Sequence, residues 1–448
     1  MVMHRLPVAV ASALASLGLT LGAAERQLTV APHGHVLTNL NVWSPDSRWI
    51  VYDVRTIDST FDGTRIEQVN VATGEVRRLY ETKNGAACGV VTYSPTEARV
   101  VFIHGPENPS ADWTYGASRR RGAIVDVRHP GEARPLDAMN YASPFKPGAL
   151  RGGSHVHVFS PDGRWVSFTY EDEVLARLGS VAQEGGHEPN QRNVAVAVPV
   201  GPVRVERNHP RNHDGDYFSV VVTRTVAHPR PGSDDINKAY EEGWVVDSSS
   251  RRALAFLGNV VAPDGREHAE IFVVDLPDDL TQVGAAPLEG TTTRRPAPPR
   301  GVTQRRLTFT SERKYPGAVT TPRHWVRASP DGAQIAFLMK DDAGVVQLWT
   351  VSPRGGAPHQ ITHNPQGVAS AFTWSADGRA IAHVMEGAVC VTEVASGSTR
   401  RVTDAKAGAA LPFACVFSPD GGKIAFMRNV AAGGATFTQV FVVSVPTL

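Results

Sequence analysis

The chain has 448 residues, with 45 Lys and Arg against 44 Asp and Glu, and 42% of it is hydrophobic. Charge this evenly balanced excludes the basic field that a nucleic-acid binder sets against phosphate, while the apolar fraction suffices for a large core. The Arg119–Arg121 run and the Arg pairs at 251–252, 305–306 and 400–401 are scattered, and read as solvated edges rather than one patch.

In chain order, the first feature is a secretory signal over residues 1–24. Met1–Arg5 is positively charged, Leu6–Gly22 is apolar and small, and Gly22-Ala23-Ala24 offers a cleavage site before Glu25. No later stretch is long and apolar enough to span a bilayer. A periplasmic or secreted chain is therefore expected, without stable membrane insertion once the signal is removed. Its three cysteines, Cys88, Cys390 and Cys415, lie in strand-like contexts without metal-finger spacing and read as buried thiols.

One pattern then recurs: an apolar strand, a Ser-Pro-Asp-Gly turn, and a second apolar strand. Its clearest copy is VHVFSPDGRWVSFTY (156–170), and the anchoring serines stand at 44, 94, 160, 329, 375 and 418. Proline presets the first turn position, and Asp-Gly supplies a self-bonding side chain followed by a residue that accepts positive φ. The steps between anchors are 50, 66, 169, 46 and 43 residues, a period typical of radially arranged repeats, with one degenerate copy hidden in the long step.

Each copy continues into a third strand and a fourth. The fourth strands are read at Val76–Tyr80, Glu132–Leu136, Pro202–Val205, Gln304–Phe309, His359–Thr362 and Arg400–Thr403. The last copy ends without one, and the missing strand is found at Arg26–Thr29 (RQLT), directly after the signal. A ring of four-stranded sheets closed by its own N-terminus leaves no open edge. These strands predict an all-β fold: residues 25–448 as a single seven-bladed β-propeller, with insertions at 170–193, 229–243 and 277–303. The hidden blade is placed over 217–309, with Tyr217–Thr225 as inner strand. SDDINKAYEEG (233–243) reads as one or two helical turns opened by a serine cap.

The SPDG and RLT strands resemble those of TolB-like propellers. Longer strings, FIHGPENP (102–109), RGGSHVHVFSPDG (151–163), NKAYEEGWV (237–245) and PAPPRGVTQRRLTFT (296–310), resemble the YidR-like family, whose domain is of unknown function. The resemblance implies a TolB-like fold and an envelope setting, and brings no chemistry. A weaker similarity, the His-x-His before an SPDG turn, is to the oligogalacturonate lyases. Those propellers hold a divalent metal through histidines and a glutamine, and the glutamine's place is Gly152 here.

Function is expected on the propeller face that carries the long loops, opposite the tight SPDG turns. His155 and His324 each lie five residues before an anchor serine, and Asn39 holds that place in the first blade. Strand alternation puts His157 on the face of His155. Imidazoles in this pattern suit Zn²⁺ or Mn²⁺, so His155, His157 and His324 are the expected metal ligands, with His33, His35, His209 or His213 as further donors; the other reading gives these imidazoles to channel waters and loop carbonyls. Arg151, Arg313 and Arg323, with Asn39, are expected to bind an acidic saccharide. If the protein is a polyuronate β-eliminase, Tyr315 or Lys314 is the expected base. The alternative is a non-catalytic envelope scaffold that binds a protein through Trp113, Tyr115, Tyr141 and Phe145. A monomer is expected. No nucleophile elbow (G-x-S-x-G), phosphate-binding glycine loop or H-E-x-x-H stretch is present.

Overall fold

The turn chemistry is realised as written. In five of the blades the anchor serine, buried in every case, donates its hydroxyl to the turn aspartate: Ser44 to Asp46 at 2.5 Å, Ser160 to Asp162 at 2.5 Å, Ser329 to Asp331 at 2.5 Å, Ser375 to Asp377 at 2.6 Å and Ser418 to Asp420 at 2.5 Å. The same hydroxyl accepts the backbone N–H five residues on, for example Trp165 at 3.0 Å. The residue after the aspartate has positive φ, as in Gly163 at 72° and Gly378 at 71°, and Ser47 takes that conformation in the first turn.

The computed structural model describes residues 25–179, 186–247 and 251–445. These form seven four-stranded antiparallel sheets and one two-residue parallel pair, Ala138–Met139 with Ala149–Leu150. The signal expected over 1–24 lies outside the described residues. Numbered along the chain, the blades begin with inner strands at His35–Val36, Cys88–Tyr93, Gly152–Phe159, Ala239–Val246, Arg327–Ala328, Thr373–Trp374 and Ala410–Phe417. The ring closes as expected: Glu25–Gln27 pairs with the strand Ala435–Ser444, Arg26 opposite Val442. The Leu28 N–H then donates to the Val440 carbonyl at 2.8 Å and the Thr29 hydroxyl to Gln439 at 2.7 Å.

The third and fourth blades correct the expected frame. The fourth strand of blade 3 is Phe218–Val221, paired with Asn193–Val198, whereas in 202–205 only Val203 bridges, to Gly215. Tyr217–Thr225 is therefore not the inner strand of blade 4. That strand is Ala239–Val246, and the expected helical turns at 233–243 run into it as extended chain. Inner-strand tryptophans confirm the register. The indole N–H groups of Trp43, Trp244 and Trp374 each donate at 3.0 Å to the preceding blade's inner strand, at the carbonyls of Val416, Val158 and Arg327. Buried indole and carbonyl satisfy each other, so one repeated bond staples neighbouring blades. The helix Glu173–Gly179 lies within the 170–193 insertion, and no strand occurs between Leu276 and Thr303.

The axis is filled. Leu40, Val90, Val156, Trp325 and Phe413, from five blades, belong to one apolar cluster, which they can form only across the centre. Arg327 of blade 5 also reaches over to hydrogen-bond the Asn39 side chain of blade 1.

Candidate functional site

Inner strands carry a bulge that decides which side chains meet. Val90, Val156 and Glu241 have φ of 58°, 54° and 55°, and each sits where the pairing register slips. An extra residue in the strand reverses the alternation beyond it. His155 and His157 straddle Val156, so the expected shared face does not exist.

His157 is fully buried between blades 2 and 3. Its Nε2 lies 2.9 Å from the Ser154 hydroxyl and 3.9 Å from Asp137. Asp137 accepts from Ser154 (3.0 Å), Ser219 (2.7 Å) and the Gly122 N–H (3.1 Å). Burial pushes the Asp137 carboxyl up to about 6 and the His157 imidazole down to about 3. This is an internal polar network that joins two blades.

His155 is the opposite case. Its ring is partly accessible and makes no hydrogen bond among the described residues. Burial, then the positive charges of Arg120, Arg323 and Arg192, hold it well below the usual imidazole range, so it is neutral. Arg120 donates to the Tyr115 hydroxyl at 3.1 Å, and Tyr115 stacks on Phe61 with ring centres 4.3 Å apart. Arg192 holds Glu171 at 2.6 Å, and Arg323 donates to Glu241 at 2.9 Å while lying over Trp325. Lys238 lies 4.1 Å from the Tyr240 ring centre, and burial with the nearby Arg192 lowers its ammonium. Four cations thus share this channel mouth with two carboxylates. An open polar hollow of about 600 Å³ runs on from it over blades 3 and 4, lined by Glu171, Asn190, Arg192, Asn237, Lys238 and Glu267.

The remaining expected residues lie elsewhere. His324 belongs to the loop before the two-residue inner strand of blade 5, so strand-position equivalence with His155 fails. Its Nδ1–H donates to the Pro322 carbonyl at 3.2 Å, its Nε2 accepts the Leu338 N–H at 3.1 Å, and it packs on Phe372 of blade 6. Both ring nitrogens are taken. Arg151 is buried on Asp172 (2.7 Å) and on the carbonyls of Thr291 and Arg294, where it ties down the 277–302 excursion. Asn39 is buried beneath Arg327. Arg313 lies over Trp349 and bonds the Lys340 carbonyl and Asp342, and Lys314 reaches the Asp342 carbonyl. Tyr315 packs against Lys314 and Lys340, and with Lys314 lines a separate hollow that no mouth residue shares. Of the expected ligand-binding and catalytic residues, only Arg323 joins His155.

The expected metal set does not assemble either. Among the described residues, no three His, Cys, Asp or Glu side chains come together as a metal-ligand group. His33 and His35 stack on each other, while His209 packs on Trp113 and Tyr141. Three guanidiniums around His155 also oppose a second cation there. The residues present do not fit a divalent metal, and no chemistry is derived through one.

Arg120, Arg192, Lys238 and Glu241 belong to the mouth but were not singled out from the sequence. The available signal was the Trp of AYEEGWVV, which aligns with Trp43 and Trp374 and identifies an inner strand carrying Glu241.

Comparison with known proteins agrees with this architecture. Residues 87–213 match the family described as "Protein of unknown function (DUF3748)". The chain is 49% identical over 409 residues to the uncharacterized protein YidR of Escherichia coli K12, across 91% of this chain and 95% of that protein. Among solved structures it is similar to an oligogalacturonate lyase in complex with manganese, with a TM-score of 0.55 at 11% identity over 96% of this chain and 94% of that one. A second oligogalacturonate lyase, from Vibrio parahaemolyticus, gives 0.54 at 11% identity over 96% and 95%. At such identities these two show the fold alone. The extent and identity of the match to YidR establish that the chain belongs to the YidR family, as a seven-bladed propeller of the type seen in the oligogalacturonate lyases.

Proposed function

We propose that this protein is an exported binding protein for an acidic saccharide, held at the mouth around His155. The observation that carries the proposal is a neutral, unbonded imidazole ringed by Arg120, Arg192 and Arg323. Guanidinium forks match carboxylates. The neutral imidazole and the side-chain amides of Asn190 and Asn237 suit sugar hydroxyls, which need both donors and acceptors. The hollow over blades 3 and 4 gives a chain of sugars room to continue outward. Likeness to propellers named for oligogalacturonate supports the ligand class, and the apolar leader at residues 6–22 supports export. The reading is one of binding, since Tyr315 and Lys314, the expected bases, stand apart from the mouth.

Calorimetry with trigalacturonate, and with a neutral galactose trisaccharide as control, tests it. The acidic trimer is expected to bind and the neutral one to bind at least about 10-fold more weakly. Arg323→Gln and Arg192→Gln should each weaken the acidic trimer by about 10-fold, the loss of one charge-assisted contact. Equal binding of both trimers, or no binding of either, would overturn the proposal.

A further inference from the structure

Beyond the mouth, a second hollow of about 310 Å³ lies on the outer side of blades 2 and 3. It is built by the end of the strand Arg99–His104, the start of Arg121–Asp126 and the tip of the 199–217 connection. Arg211 clamps that tip to the carbonyls of Glu107 (2.5 Å) and Asn108 (2.9 Å). Strand alternation separates neighbours here: Arg120 turns to the channel, and Arg121 turns into this hollow.

Its polar groups keep hydrogen-bonding capacity to spare. Among the described residues Arg121 has one side-chain ion pair, with Glu107 at 3.5 Å, and its side chain is 26% exposed. His213 donates Nδ1–H to the Arg211 carbonyl at 3.2 Å, which leaves Nε2 as an acceptor, buried and without a partner. Burial, with Arg121 nearby, pushes this imidazole down to about 3, so the lone pair is free. The Tyr141 hydroxyl makes no hydrogen bond among the described residues and lies close enough to Arg121 and Glu173 to feel their charges. Trp113, flanked by Tyr141 and Arg119, forms a rigid wall.

We propose that this hollow is a second binding site, for a small hydroxycarboxylic acid such as a single sugar acid. The Arg121 fork takes the carboxylate, Tyr141 donates to it or to a ring oxygen, and His213 Nε2 with Glu107 accept the neighbouring hydroxyls. A bare anion leaves His213 Nε2 unmatched, and a neutral sugar leaves Arg121 with Glu107 alone. The volume suits one sugar ring.

The test titrates the full-length protein with D-galacturonate, and with D-galactose and acetate as controls. The wild type should bind galacturonate with Kd of about 1 mM or tighter, and each control at least about 10-fold more weakly. Arg121→Gln should weaken galacturonate at least about 10-fold. Tyr141→Phe, which removes a hydroxyl with no internal partner, should weaken it about 3- to 10-fold with an unchanged melting temperature. Arg323→Gln, at the mouth, should leave the Arg121-dependent part of the binding in place. Absence of saturation by about 10 mM, acetate binding as tightly as galacturonate, wild-type affinity in both Arg121→Gln and Tyr141→Phe, or a loss confined to Arg323→Gln would overturn the proposal.

Discussion

The two faces of the ring put polar side chains to opposite ends. On the turn face, serine and aspartate satisfy each other and the local backbone, so almost no hydrogen-bonding capacity is left for a ligand. On the loop face, the histidine and arginines at the channel mouth are held in place with capacity to spare. Among the described residues the His155 ring has no hydrogen-bond partner, and Arg120 keeps its Nε without one. Local closure of polar groups marks structure, and positioned but unmatched polar groups mark a site. Two residues apart the histidines differ in burial instead: His157 is wholly enclosed with Nε2 bonded to Ser154, and His155 is partly accessible.

Removal of residues 25–29 should have the largest effect. It deletes about four ladder bonds and the buried Leu28, worth about 5 kcal/mol together, and denaturant unfolding measures it. Unchanged stability would mean that blade 7 does not need this strand. His157→Ala comes next, at about 3 kcal/mol, because it opens a cavity and strands the Asp137 network. Ser160→Ala should cost about 1 kcal/mol by removing one turn's central hydroxyl.

The turn aspartates also set an acid limit. Asp377 is held down to about 2, chiefly by the Ser375 hydroxyl and the Arg379 N–H, and Asp331 and Asp420 are lowered as well. Folded values below the ordinary 3.8 stabilise the fold above that pH, and this contribution disappears as pH falls towards about 2. Melting temperature should therefore decline between about pH 4 and 2, less steeply in Asp377→Asn. His155→Ala should be the smallest perturbation, within about 0.5 kcal/mol of wild type, yet it should weaken acidic saccharide. A stability loss matching that of His157→Ala would erase the distinction between the two histidines.

Much of the fold was legible because turn chemistry is local. Ser-Pro-Asp-Gly placed six blades, and RQLT disclosed the closure, since an unpaired last sheet needs a fourth strand from somewhere. Blade 4 was misplaced because DSSS, not an SPDG turn, follows its inner strand in the sequence, and paired glutamates interrupt its apolar pattern. Those glutamates are there for the channel: Glu241 occupies the bulge and holds Arg323. The mouth itself was only partly legible. His155 and Arg323 were named, but a bulge at Val156 is invisible to a period-two reading, and Arg119–Arg121 looked like an edge. In the fold those three arginines diverge to Glu173, the mouth and the outer hollow.

Titration of His155 by imidazole NMR, with and without trigalacturonate, is the most direct measurement. In the free protein the ring should stay neutral well below the usual imidazole range, because burial and three guanidiniums oppose its proton. Bound carboxylates should raise its pKa, and by linkage the trimer should bind more tightly as pH falls towards that raised value. An ordinary titration near 6.5 in the free protein, or a pKa that saccharide does not move, would contradict the account.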